Sequence, residues 1–467
     1  MRTHDIAVLG GGVSGLSAAL LLAREGHRVT LIERDAITST APDAAFTWER
    51  NGIPHFQQPH AFIARGRKEL IERFGDVYSA LHSAGASDVD SSRKLPGARV
   101  PADSELQYIA VRRPIIEWAL RGALRAEPNA VVRGGGEVRG LRIEHEAVTG
   151  VEWEGGACVA DVVIDAMGRR SPVRGWVAEQ LGTTPRTERS ECGVIYYSRY
   201  YKLREGRTYP DGPWFLGPRG DLGYMGFTSF PGDNGTFAAV LAVPTGVSDL
   251  KVLRHEKAFE AAVAKLPALS LWANPDLVEP ITTVLPMGGL QNAIAFPSGD
   301  RPFGLFTVGD ALCHTDPALA QGLSFGLIHA NAVREALREH GTLPDAGAGY
   351  LNSVMPELKE RYALATALDE QRLRMWKGDP VDFKRRDGDY ELFSLVATGA
   401  VALSDPEVFR AYMRRFGLLE STRVFDDDIA LQQRIESSFQ RLLETPRAPA
   451  GPSRGEMLEL TEAALAG

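Results

Sequence analysis

Gly10, Gly12 and Gly15 fall in the spacing G-x-G-x-x-G, and Glu33 closes the apolar run that follows. The first glycine permits a tight turn, and the second lets backbone approach a pyrophosphate. The third lets a helix pack closely on a strand. The amides of Val13 and Ser14 then face phosphate at a helix N-terminus, where the dipole favours anions, and Glu33 is placed for a ribose hydroxyl. A second group of polar residues lies in FTVGDALCHTDPALAQGLSFGLIHA (306–330), where Asp310, His314, Asp316 and Gln321 surround Pro317. So many hydrogen-bonding groups between two apolar stretches call for a polar occupant. The alternative is a connection in which Asp310 only caps backbone.

The elements that must position these residues are legible from periodicity. HDIAVLGGGVSGLSAALLLAREGHRVTLIERD (4–35) reads as strand, glycine turn, helix and second strand. The polar turn joins a strand over 304–308 to a helix beginning at Gly322. Aromatic-rich runs with period-2 alternation occupy 192–203, 211–218 and 222–244, with PGDNG (231–235) as a hairpin turn. From about Asp345 onward the periodicity is helical, and no repeat or low-complexity tract occurs.

The chain has 467 residues, enough for two or three domains. It is 44% hydrophobic and carries a formal charge of −8 with its cations dispersed, which argues against a nucleic-acid partner. Cys158, Cys192 and Cys313 lack metal spacing and fit a reducing compartment without disulfides. The first apolar run breaks into glycines, unlike a signal peptide, and no stretch reaches the roughly 20 apolar residues of a membrane span. A soluble, cytoplasmic, globular protein is expected, with no metal.

With ER closing the second strand, the N-terminal pattern resembles FAD-dependent monooxygenases of the aromatic hydroxylase superfamily. VRRPIIEWALRGAL (111–124) resembles the R-x-x-L helix of that family, and GGGEVRGL (134–141) its adenine-holding strand. VIDAMGRRSPVRGWV (163–177) is similar to the second fingerprint, and 306–330 to the third, G-D-x-x-H-x-x-x-P-x-x-G-x-G. The resemblance runs from about residue 5 to 335. It implies FAD contacts at Gly10, Gly12, Val13, Ser14, Gly15, Glu33 and Arg34, at Arg113 (or its neighbour Arg112), and at the backbone of Val138. Asp310 then meets the ribityl chain and Pro317 lies near the ring. The amides of Gly322 and Leu323 face the flavin N1–C2 carbonyl, where a helix N-terminus stabilises the charge left by reduction.

NGIPHFQQPHAFIARGRKEL (51–70) resembles the Q-x-x-H-x-x-x-x-R-G segment of polyene-epoxidase-like members. His60 is therefore the candidate polar group near the ring, the alternative being a structural bond at the start of a helix. Tyr197, Trp214, Tyr224 and Phe227 are candidates to line an apolar substrate pocket, the alternative being sheet core. Two departures stand out. Ala320 and Ser324 replace a glycine and a common asparagine. Met167 stands where single-component hydroxylases carry an aspartate serving both FAD and NAD(P)H, the nearest acid being Asp165. Methionine accepts no strong hydrogen bond. Electrons from NAD(P)H are therefore expected to arrive through a separate flavin reductase.

The expected fold is α/β, with a Rossmann-type FAD-binding domain (1–185 and 276–345), an inserted, mainly antiparallel β substrate domain (186–275) and a C-terminal helical region (346–467). The resemblance implies an oxidoreductase of specialised metabolism that hydroxylates or epoxidises an apolar or aromatic molecule with molecular oxygen, through a flavin C4a-hydroperoxide. A geranylgeranyl-reductase-like enzyme and a non-enzymatic FAD-binding protein are the alternatives. A halogenase is disfavoured, because none of the seven tryptophans stands in the W-x-W-x-I-P spacing.

Overall fold

Strands apolar on both faces belong inside a parallel sheet covered on both sides. The computed structural model arranges four such strands and an exposed edge strand in the order Leu305–Thr307, Val162–Asp165, Asp5–Leu9, Arg28–Glu33 and Ala130–Gly134, all parallel. It describes residues 2–37, 41–48, 50–184, 186–212, 217–297, 301–379, 390–444 and 450–466, with side chains omitted for 390–395. Ile6 and Val8 point into the core beneath helices Val13–Arg24, Arg113–Ala126 and Gly322–Glu339. Ala7 and Leu9 point the other way, onto a three-stranded antiparallel sheet, 138–159, and helix Val173–Leu181. The predicted strand–turn–helix–strand opening is therefore the centre of the molecule.

The insertion is an antiparallel sheet in the order Arg219–Asp221, Gly226–Pro231, Thr236–Pro244, Val194–Leu203, Val278–Pro280. Its outer face is closed by helices Glu256–Lys265 and Pro267–Trp272. Two boundaries differ from the sequence expectation. Val278–Pro280 and Leu285–Met287 pair with Val194–Leu203, so the insertion extends past 276. Arg186–Glu191, expected within it, pairs instead with Gln291–Phe296 and forms part of the connection back.

Nor is 346–467 one unit. Helix Leu343–Lys377 packs on Gly322–Glu339, starts at the Thr342 cap and ends at Gly378 with φ +80°. Helices Tyr390–Ala402, Pro406–Phe416 and Ile429–Leu443 share a core with Leu95 and Leu106. Helix Arg454–Ala466 returns to the insertion, burying Met457 among its apolar residues. Among the described residues no helix is long and apolar enough to cross a membrane.

Candidate functional site

Asp5–Leu9 delivers the chain into Gly10 at φ +98°, where a Cβ would lie 2.7 Å from the Ala166 carbonyl oxygen. A Cβ on Gly15 would overlap the Gly10 carbonyl. Both glycines are demanded by the protein's own packing. Gly12 differs, because a Cβ there would meet nothing closer than Arg113 Nη2 at 3.4 Å. Gly12 caps helix Val13–Arg24 without a side-chain bond, so the first-turn amides, including those of Val13 and Ser14, lack intrahelical partners. The Ser14 hydroxyl lies where Cβ atoms on Gly309 or Gly326 would clash, which brings this helix against the polar turn.

Glu33 is buried at the end of its strand. Its carboxylate accepts from the Gly11 amide at 2.7 Å, the Asp35 amide at 2.8 Å and Arg50 Nη2 at 2.9 Å. A carboxylate offers about four acceptor positions, which leaves about one for a ribose hydroxyl. Arg50, absent from the sequence candidates, also holds Asp35 at 2.9 Å and Glu117 at 2.6 Å. Its guanidinium stacks 4.4 Å from the Trp48 ring, and that of Arg121 lies 3.9 Å from the same ring. Arg34 is half-exposed, 3.9 Å from Asp35.

The structure separates the two adjacent arginines. Arg113 bridges Glu117 at 2.8 Å and His55 Nε2 at 2.7 Å, with Nη2 towards Gly12. Arg112 turns to the insertion, where its amide and guanidinium donate to the buried Asp233 at 2.6–3.0 Å. Val138 is buried at the start of its strand. The amides of Gly135 and Gly136 donate to the Glu33 carbonyl at 3.0 and 3.3 Å, which brings that strand beside the acid.

At the polar turn, His329 Nδ1 accepts the Gly309 amide at 2.9 Å. The next carboxylate, Asp310, has no hydrogen-bond partner among the described residues. Asp316 accepts the Ala318 amide at 2.9 Å and so shapes the 3-10 turn Pro317–Leu319, whose Pro317 is exposed. Ala320 follows at φ +53°, a conformation the absent glycine would adopt freely. Helix Gly322–Glu339 then starts without a side-chain cap, leaving the Gly322 and Leu323 amides without intrahelical partners. Gln321 Oε1 and Ser324 Oγ are buried beside them and unpartnered.

His60 lies beside Arg113, its ring centroid 5.8 Å from that of His55. Its Nδ1 donates to the Gln58 carbonyl at 2.7 Å, leaving Nε2 as an acceptor. Burial, with Arg113 nearby, lowers its pKa to about 3, so the imidazole is neutral at physiological pH. Asp165, fully buried, is pushed up to about 6 by desolvation while accepting from Ser171 Oγ at 2.8 Å and the Met167 amide at 3.2 Å.

The aromatic candidates require correction. Tyr197, Tyr224 and Phe227 join the core between the insertion sheet and its covering helices, facing away from the polar turn. Trp214 lies outside the described residues. The opposite face of the same strand carries Tyr196, Ser198 and Tyr200. Tyr196 donates to Asp316 at 2.6 Å and Ser198 to Gln58 Oε1 at 2.6 Å. Along IYYSRYY tyrosines occupy both faces, so alternation alone could not choose between them. Trp376, from a region without a motif, shares this inner cluster with Tyr196, Tyr200 and, at its edge, Phe230 and Ala318.

These observations fit FAD. Gly12 leaves a cradle that a side chain would fill, two helix N-termini present unpartnered amides, and Asp310, Gln321 and Ser324 offer polar atoms that the protein leaves unused. Residues 5–107 match the family described as FAD dependent oxidoreductase. The chain is an FAD-dependent oxidoreductase.

The oxidoreductase is 23% identical over 455 residues to a Mycobacterium tuberculosis protein, covering 90% of each chain. It is 61% identical over 149 residues to the aklavinone 12-hydroxylase DnrF of Streptomyces peucetius subsp. caesius, covering 29% of this chain and 27% of the hydroxylase. PqsL of Pseudomonas aeruginosa, described as a probable FAD-dependent monooxygenase, shares the fold with TM-score 0.58 at 17% identity, covering 81% of this chain and 99% of PqsL. A triple mutant of the flavin-dependent brominase Bmp2 superposes with TM-score 0.59 at 16% identity, covering 94% and 98%.

Proposed function

We propose that this oxidoreductase is a monooxygenase that hydroxylates or epoxidises an apolar, fused-ring aromatic molecule. The observation that carries the reading is the inner face of the insertion sheet, where Tyr196, Tyr200, Phe230 and Trp376 form an aromatic cluster that meets the polar turn at Ala318 and, through the Tyr196 hydroxyl, at Asp316. The hydroxylase relative named for aklavinone supports a polycyclic substrate.

Gly12, Val13 and Ser14 would take the pyrophosphate, Glu33 a ribose hydroxyl and Arg113 the phosphate side of the ribityl chain. Asp310 would hold that chain, and the amides of Gly322 and Leu323 would stabilise negative charge on the reduced ring. Bound FAD supplies electron transfer to molecular oxygen and delivery of one oxygen atom to the substrate. The protein's part is orientation and exclusion of water. His60 Nε2, neutral and unprotonated, would accept a hydrogen bond from a substrate hydroxyl, and Pro317 would shape the ring face. NAD(P)H is the proposed electron source. Met167, which contributes only a backbone amide to Asp165, favours delivery through a separate reductase. The enzyme would work on small molecules in the cytoplasm.

The test supplies the FAD-loaded protein with an unrelated flavin reductase, NADH and aklavinone in air. A hydroxylated or epoxidised product supports the proposal. Saturation of an alkene without oxygen uptake would favour the prenyl-reductase alternative, and halogenated product with added bromide a halogenase.

A further inference from the structure

Behind the turn that carries Pro317 lies a buried cluster that the flavin reading does not use. Asp316 and Asp369 are each 2% exposed and Cys192 is fully buried, and their Oδ and Sγ atoms all lie within 4.8 Å of one another. Arg372 donates to Asp316 at 2.5 Å and also pairs with Asp369. One guanidinium thus serves two carboxylates, and it supplies the positive charge that a metal ion would otherwise bring. Tyr196 Oη donates to Asp316 at 2.6 Å. Asn292 Nδ2 donates to Asp369 at 2.8 Å, while Asn292 Oδ1 accepts the Asp316 amide at 2.7 Å. Trp376, whose ring lies 5.5 Å from the Arg372 guanidinium, donates to Asp221. The groups facing the pair therefore come from the insertion sheet, a connecting strand, the flavin-side turn and the long C-terminal helix.

Two buried carboxylates in contact with one arginine leave a net negative charge in low dielectric unless one of them keeps a proton. We propose that Asp369 and Arg372 are positioning residues for the turn Pro317–Ala320, acting through a proton that Asp369 shares with Asp316. Asp316 is the hinge of the arrangement. Its carboxylate accepts the Ala318 amide that shapes the turn, so whatever holds Asp316 holds Pro317 and Ala320. The direction of the titration agrees with the geometry, since burial and Asp316 push Asp369 up to about 8 while Arg372 and the other donors hold Asp316 low. Above that pH the shared proton leaves, Asp369 and Asp316 repel, and the turn loses its fixed position. This role rests on the flavin reading for the meaning of the turn, but not for the shared proton.

The test compares wild type with Asp369→Asn, which imitates the protonated carboxyl, and with Asp369→Ala and Arg372→Gln. Two quantities are measured between pH 6 and 9.5: the affinity and visible circular dichroism of bound FAD, and the thermal stability of the FAD-free protein. Wild type should change its flavin dichroism and lose FAD affinity near pH 8. Asp369→Asn should keep wild-type affinity at pH 7 and show no such transition. Asp369→Ala and Arg372→Gln should bind FAD at least about tenfold more weakly at pH 7. FAD-free wild type should lose stability relative to Asp369→Asn as pH rises towards 8. An Asn variant as damaged as the Ala variant, or one that retains the pH 8 transition, overturns the proposal. A wild type that takes up no FAD overturns the flavin role of the turn. The stability comparison, made without cofactor, separates that failure from the absence of a shared proton.

Discussion

Arg50 Nη2 lies 2.9 Å from Glu33 Oε2, so the acid expected to face a ribose is first a brace for the glycine turn. Through Glu33 the same arginine reaches the Gly11 amide, and it also holds Asp35 and Glu117. Its side chain is 1% exposed, so removing it strands three carboxylates in the interior. Arg50→Met should cost about 3–5 kcal/mol, the usual result of breaking a buried ion pair from one side. Urea unfolding checks this, and a loss under about 1 kcal/mol would show that the cluster is solvated.

The glycines make separable predictions. Gly12→Val should fold with near-wild-type stability yet take up no FAD, because its side chain enters the cofactor cradle and meets only the ends of the Arg113 and Ile53 side chains. Gly15→Ala should impair folding itself, since its Cβ overlaps the Gly10 carbonyl. Flavin absorbance after gel filtration, alongside circular dichroism, reads both. A Gly12→Val protein with full flavin occupancy would remove the cradle assignment.

Asp165 gives the FAD-free protein a pH dependence. Its pKa rises from 3.8 unfolded to about 6 folded, so between these values the native state binds more protons than the unfolded one. Stability from this group is then greatest at low pH and falls as pH rises through that window, by roughly 2–3 kcal/mol. Asp165→Asn should remove this group's share of the slope between about pH 4 and 6, leaving the part that Asp369 contributes. A mutant whose stability still falls in parallel with wild type would place the proton elsewhere.

Much of the framework of the candidate site was legible because it is local. Glycine spacing, the acid at a strand end and the G-D turn each lie within one strand–turn–helix unit, and backbone geometry dictates their residue types. What the sequence concealed is long-range. Arg50, Gln58 and Arg372 act through partners 17 to 140 positions away, with no spacing to announce them. Of the tyrosines in 196–201 only Tyr197 is singled out by the sequence, and it packs under the covering helices while Tyr196 and Tyr200 take the other face, because a strand with tyrosine on both sides carries no period-2 contrast. The boundary at 276 was misplaced because Val278–Pro280 is a three-residue strand, too short for a pattern.

That face assignment can be tested directly. Tyr197→Ala should cost about 3–5 kcal/mol as a core truncation and leave substrate KM little changed in the surviving folded protein. Tyr200→Ala, on the inner face, should raise substrate KM while FAD affinity stays at the wild-type level. The reverse pattern would place Tyr197, and not Tyr200, against the substrate.

Ala320 holds φ +53° without the glycine that usually occupies such a position. Ala320→Gly should raise stability by up to about 1 kcal/mol by relieving left-handed strain. A decrease would mean that the methyl packs usefully against the helices.

As a monooxygenase, the FAD-loaded protein places oxygen from O2 onto an aromatic substrate in the proposed reaction. Turnover of aklavinone with reductase-supplied electrons under 18O2 in ordinary water, followed by mass spectrometry, addresses it most directly. The product should carry one 18O atom per turnover, and none when the label is supplied as H2 18O. Product labelled only from water, or reduced product without oxygen, would contradict it.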